Sequence, residues 1–275
     1  MTMRNILLLM IALIILAACA SSAKLPPMNI SSFSLFNTFS YEENIAKAYY
    51  DPGSSTTFAL VPGSHQIYLW RAGKRVNVIG GMGMGNSNFQ DLADITLGLD
   101  ASVYALDSSA KNVKKFNADG KLQATWELKN SVQPAKIALG TEQNCYIWDS
   151  ASSEIIAYNL LDGSELYRFG RFQIMKVDHL FANRDYVVAY NATEKSSAIF
   201  SSLGQLITES DGQVVYDPYN NGIALTDSAL ISRMSAAFLP MSSVPGIMTI
   251  GREVLAIVVD NRQVRLLKIN YEQVP

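Results

Sequence analysis

The sequence predicts an all-β chain folded as a β-propeller of six four-stranded blades, and three observations predict it. Short apolar strands alternate throughout with turns rich in Gly, Asp, Asn and Ser. One strand-turn unit recurs along most of the chain, with turn glycines at 73, 120, 163 and 204, a spacing of 41 to 47 residues. The last repeat is one strand short, while an alternating stretch at 32–40 has no repeat of its own.

The chain starts with a segment that does not belong to this pattern. Met1 to Asn5 carries one positive charge, Arg4, and Ile6 to Leu16 is unbroken apolar sequence. Eleven residues are about half of what spans a bilayer, so the segment reads as an export signal rather than an anchor. Leu16-Ala17-Ala18-Cys19 resembles the lipobox of bacterial lipoproteins. The resemblance implies cleavage before Cys19 and a diacylglycerol thioether on its thiol, which only a cysteine can form. Residues 1–18 are then the signal peptide and 19–29 a lipidated flexible tether, small, polar and proline-bearing. The propeller occupies 30–275. Ala20 stands where such lipoproteins carry Asp when retained in the inner membrane. The expected address is therefore the bacterial cell envelope, at the outer membrane where there are two. Several acyl chains on one Cys hold firmly, at about 0.8 kcal/mol per buried CH₂.

The repeats follow. Gln66 to Trp70 leads to Gly73, Asn112 to Phe116 to Gly120, Glu154 to Tyr158 to Gly163, and Ser196 to Phe200 to Gly204. Each is a strand ending in an aromatic residue, then a turn whose glycine can take positive φ. Apolar strands precede them at 58–61, 103–106, 146–148 and 186–190, across turns at 62–65, 107–111, 149–153 and 191–195. Alternating strands follow the glycines. Four strands in about 43 residues is one propeller blade.

Tyr216-Asp217-Pro218 echoes Tyr50-Asp51-Pro52, each marking the first hairpin of a blade. The unit near 212–242 matches least well and leaves five blades as the alternative. The last unit has strands at 247–250, 254–260 and 263–269. Residues 32–40 are expected to complete it and close the ring, which removes an open sheet edge.

One linker carries a second resemblance. Gly80-Gly81-Met82-Gly83-Met84-Gly85-Asn86-Ser87-Asn88-Phe89 leads into Ile95 to Asp100, Val103 to Asp107, Val113 to Phe116 and Asp119-Gly120. This order is similar to an NHL repeat over about 80–170, with Leu92 where that family usually has Pro. The resemblance implies a six-bladed propeller and no particular activity.

The composition excludes several functions. Hydrophobic residues make up 49% of the chain and charged residues 17%, so a real core can form. A net charge of −2 with no basic stripe excludes a nucleic-acid-coating protein. Two cysteines and two histidines do not make a zinc cluster, and no cofactor or metal is expected. Cys145, alone once Cys19 is lipidated, sits in an apolar strand as an inert thiol. His65 lies in a turn, and His179 reads as a packing or surface residue. Asp107, Asp149 and Asp260 recur at the turn between second and third strands, where an Asp side chain bonds its own turn. The glycine run 80–85 is a linker, because a strand and not a helix follows it. The aromatics Trp70, Phe116, Tyr158 and Phe200 are expected to pack between blades.

No catalytic constellation stands out. The expected function is a non-catalytic, membrane-tethered scaffold that offers a face to envelope proteins. Met82, Met84 and Asn86 of the long linker are the candidate contacts, unless the methionines pack beneath it. The alternative is a propeller enzyme or small-ligand binder working in the central channel as a lyase, a lactonase or a sugar-acting protein. Carboxylates or histidines clustered on the axis favour that alternative, and small or apolar plugs favour the scaffold.

Overall fold

A computed structural model describes residues 28–140, 143–226, 229–233, 235–238, 247–250, 255–260 and 262–273. The sequence boundary Cys19, and the signal segment before it, lie outside the described residues. Among the described residues, twenty-four strands form six antiparallel sheets of four, a β-propeller, and the five-blade alternative is excluded.

Blade 1 comprises, in chain order, β2 (Lys47–Asp51), β3 (Thr56–Val61), β4 (Gln66–Arg71) and β5 (Lys74–Gly80). Blade 2 follows with β6 (Leu92–Leu97), β7 (Val103–Asp107), β8 (Asn112–Phe116) and β9 (Leu122–Glu127). Blade 3 holds β10 (Pro134–Leu139), β11 (Asn144–Asp149), β12 (Glu154–Asn159) and β13 (Glu165–Phe169). Blade 4 holds β14 (His179–Ala182), β15 (Tyr186–Asn191), β16 (Ser196–Ser201) and β17 (Leu206–Asp211). Blade 5 is the smallest, with β18 (Gln213–Tyr216), β19 (Gly222–Leu225), β20 (Ala229–Ser232) and β21 (Ala236–Phe238). Its strands of three or four residues explain why the sequence repeat fades there.

Blade 6 is completed from the other end of the chain. The sheet order is β1 (Met28–Ser40), β24 (Gln263–Gln273), β23 (Leu255–Asp260), β22 (Ile247–Ile250). Ser40 pairs with Gln263 and Ser32 with Asn270, so residues 32–40 do close the ring. The strand starts at Met28, two residues inside the stretch read as tether, and Ile30 is buried. Its first residues reach the neighbouring blade. Asn221 donates to the Met28 carbonyl at 2.9 Å, and the Tyr271 hydroxyl donates to Asp217 at 2.9 Å.

The core lies between blades. Phe116 joins Leu69 and Phe89 between blades 1 and 2, and Tyr158 joins Leu106 and Val113 between blades 2 and 3. Phe200 joins Phe169 between blades 3 and 4, while Trp70 packs on Ile257 and Val259 of blade 6. The four equivalent aromatics therefore each face the preceding blade, as expected of a packing role. A bulge falls immediately before each of them, at Leu69/Trp70, Lys115/Phe116, Ala157/Tyr158 and Ile199/Phe200. The glycines that follow have φ between 72° and 84°, which pairs a bulge with a glycine turn and strengthens the local twist.

Chain direction assigns the two faces of the disc. Turns between second and third strands share one face with the blade-to-blade links. The glycine hairpins lie on the opposite face, together with the turns between first and second strands. β1 runs from the hairpin face, where Met28 meets the turn at Asn221, to the linker face, where the Tyr41 amide donates to the Arg262 carbonyl at 2.9 Å.

Candidate functional site

On the linker face of blades 2 and 3, an aspartate bridges the turn between second and third strands to the link beside it. Asp149 is buried and accepts from the amides of Ala151 and Ser152 in its own turn. It also accepts from Ser131 Oγ and from the amides of Val132 and Gln133 in the link from blade 2. Asp107 does the same with Ala110 on one side and Gln90 and Asp91 on the other. The expected Asx-type bond is present, and the second half of each network is what ties the link down. Among the described residues no group of acidic, His or Cys side chains is arranged to hold a metal.

The long link 81–91 is clamped by the same logic. His65 Nδ1 accepts from the Leu92 amide at 3.1 Å, and the His65 carbonyl accepts from the Gly81 amide at 2.9 Å. Phe89 is buried, its amide donates to Gly81, and its carbonyl accepts from Gly83, both at 2.9 Å. Lys114 donates to the Asn88 carbonyl. Gly80 has φ +85°, and a Cβ there would lie 2.3 Å from the Phe89 ring, so only glycine fits. The loop is a closed unit with Phe89 inside and its two methionines outside. Met82 is 70% exposed and Met84 89%, so the methionines do not pack under the linker, and Asn86 is exposed beside them.

Sequence reasoning missed the rest of this surface. In the link 170–178, Ile174 and Val177 are buried between blades 3 and 4, which turns Phe172 and Met175 outward, 85% and 77% exposed. Phe172 also has φ +65°, a conformation a bulky L-residue rarely adopts. Val132 is exposed in the link between. Five exposed apolar side chains thus lie on three consecutive links. Single exposed apolar residues need no explanation, but a row on one face does. The Phe172 signal was available as an aromatic residue directly after Gly170-Arg171 in a link with no strand pattern.

The axis carries charge. Lys47 on β2 and Asp94 on β6 are buried and paired, with the ammonium 3.1 and 3.0 Å from the two carboxylate oxygens. Asp94 also accepts from the amides of Ile95 at 2.9 Å and of Ile137 on β10 at 3.0 Å. The Gln213 side chain bonds the Met248 amide and carbonyl at 2.8 and 2.9 Å, and Thr249 donates to the Ala48 carbonyl at 2.8 Å. This belt links the inner strands from blade 5 through 6, 1 and 2 to 3. His179 is mostly buried on the inner strand of blade 4, stacked on Tyr190 with ring centroids 6.1 Å apart. Burial pushes its pKa down to about 3, helped by Lys47 and Lys136 against the pull of Asp94 and Asp178. The ring is neutral at ordinary pH. His179 is thus an axial residue, a finer placement than the packing or surface role read from sequence. The signal for this belt was present in the sequence as a Lys and an Asp inside strands otherwise made of apolar and small residues. Cys145 is buried, and burial pushes its thiol far up, so it stays protonated and inert.

No protein-family model matches the chain, and no curated protein matches it. Solved structures do. A streptogramin B lyase is 11% identical, with a TM-score of 0.57, over 91% of this chain and all of that one. Virginiamycin B lyase from Staphylococcus aureus is 11% identical, with a TM-score of 0.54, over 81% of this chain and 80% of that one. U3-55K is 12% identical, with a TM-score of 0.53, over 82% of this chain and 76% of that one. At such identity the likeness is one of fold alone.

Proposed function

We propose that this protein is a lipid-anchored β-propeller with NHL-like repeats that acts as a non-catalytic scaffold in the bacterial cell envelope. Its linker face is the docking surface for a protein partner. The observation that carries this reading is the exposed row Met82, Met84, Val132, Phe172 and Met175, held outward by links that are themselves clamped. Clamped links lose little entropy on binding, and flexible thioethers adapt to a partner surface. Chain direction supports the same face. The tether from Cys19 joins β1 at Met28 on the hairpin face, and nine residues span at most ~30 Å. The hairpin face is then held near the membrane and the linker face is turned away from it.

Two experiments test the two halves. Cys19→Ala should give a protein that stays unprocessed or leaves the membrane fraction. Normal processing with unchanged sedimentation would remove the lipid from the proposal. Met82→Glu with Met84→Glu should abolish co-purification of the partner from solubilised envelope, while Lys74→Glu with Lys121→Glu on the hairpin face should not. Loss with only the hairpin-face pair, both variants remaining folded, would put the surface on the other side.

The axis is neither a cluster of carboxylates or histidines nor an apolar plug. It is a polar belt in which the Lys47 ammonium and the Asp94 carboxylate are spent on one another.

A further inference from the structure

The polar belt bypasses blade 4: among the described residues no side-chain hydrogen bond joins its inner strand to that of blade 3 or of blade 5. From blade 5 round to blade 3, each inner strand bonds its neighbour through a side chain. At the gap stand Lys136 on β10 and His179 on β14. Neither makes a side-chain hydrogen bond or ion pair among the described residues. Both keep partial access to solvent, whereas Lys47 and Asp94 are buried. Lys47, Lys136 and Asp94, from blades 1, 3 and 2, all act electrostatically on His179 of blade 4. The four residues stand on the inner strands of four successive blades. All four lie within the first three residues of their strands, which places them at the linker-face mouth of the channel.

We propose that this mouth binds a single carboxylate group, held by Lys136 and His179 with Lys47 behind them. The charge count selects the ligand. Lys47 and Asp94 cancel, and His179 is neutral. Asp178 is spent on Lys176 at 3.1 Å and on the Ala192 amide at 2.8 Å. Tyr190 stacks on the imidazole, and Gln213 on β18 is tied to Met248. Among the described residues of this mouth, one positive charge remains without an ion-pair partner, on Lys136. A carboxylate brings one negative charge and only acceptors, matching an ammonium and an imidazole N–H. A phosphate dianion would leave a charge unpaired, and a cation would meet Lys136. A bound anion also favours the protonated imidazole, so binding should raise the His179 pKa from its depressed value.

The carboxylate can belong to a small molecule or to a chain terminus, and the test separates the two. The full-length chain in non-ionic detergent, labelled with ¹³C-histidine, has two imidazole signals, and His179→Gln assigns them. It is titrated with acetate, with an N-acetylated tripeptide acid, with the corresponding tripeptide amide, and with phosphate, all at fixed ionic strength. We expect a saturable shift of the His179 signal with acetate, with the tripeptide acid, or with both, and none with the amide. Acetate alone would indicate a small-molecule source, the acid alone a chain terminus. Lys136→Met should weaken the response by about tenfold or more, and Lys136→Arg should keep most of it. The proposal fails if neither acid gives a saturable shift, if Lys136→Met responds like the parent, or if phosphate binds more tightly than the carboxylates. Should Lys136→Met not fold, the acid and amide pair on Lys136→Arg decides, and equal responses overturn it. None of these outcomes depends on the partner at the linker face.

Discussion

Removal of residues 28–40 should unfold the propeller or lower its stability by on the order of 5 kcal/mol, whereas removal of 20–27 should leave the melting temperature within a few degrees of the parent. β1 is the fourth strand of blade 6 and pairs along its whole length with β24. Its loss exposes β24 as an open edge and strips Ile30 from the cluster with Leu267 and Ile269. It also removes the Asn221 contact that ties β1 to blade 5. Ring closure joins the first and last parts of the chain, so its loss frees both neighbours of blade 6 rather than one hairpin. Thermal melts followed by circular dichroism compare the two deletions directly. Equal melting temperatures would mean that the ring does not depend on this strand.

Asp149→Ala should cost about 3–5 kcal/mol, and Asp149→Asn somewhat less. The carboxylate is buried and serves one hydroxyl and four backbone amides, and removing it leaves those donors unpaired. A substitution on the solvent face of the same blade, such as Leu166→Ala, should change stability by about 0.5 kcal/mol or less. The acid dependence adds an independent check. Burial by itself would raise the Asp149 pKa, but the bonds from Ser131 and from the amides of Ser152, Val132 and Gln133 hold it below the usual carboxylate range. A carboxyl lower in the folded than in the unfolded chain stabilises above the unfolded value, and that contribution is lost as pH falls through the folded one. The parent should therefore lose more stability between pH 7 and pH 3 than Asp149→Asn does, measured as the shift in urea midpoint. A difference of the opposite sign would show that the carboxylate is not ionised in the fold.

Much of the architecture was legible along the chain because a propeller is assembled from local hairpins. A strand ending in an aromatic residue followed by a glycine turn is a short-range signal, and four copies of it place sixteen strands. The unpaired stretch at 32–40 and the three-strand last unit predicted each other, since an open edge is unfavourable. The lipidation proposed at Cys19 rests on a linear motif, which is read without reference to the fold. Blade 5 was hardest to read because its strands are so short that little periodicity survives in them.

Tertiary structure decided what lies between repeats. The last residues of the turns between second and third strands, His65, Lys111, Ser153 and Lys195, all have φ between 50° and 54°. Their side chains range from imidazole through ammonium to hydroxyl, because the conformation is imposed by the bonds around the turn and not by the side chain. The outward aim of Met82, Met84, Phe172 and Met175 depends on which neighbours, Phe89, Ile174 and Val177, found the inter-blade core first. The axial set is the extreme case. Lys47, Asp94, Lys136 and His179 are separated by more than forty residues at each step and share no motif. Sequence separation carries no information about a ring until it closes, and only closure brings their charges within reach of one another.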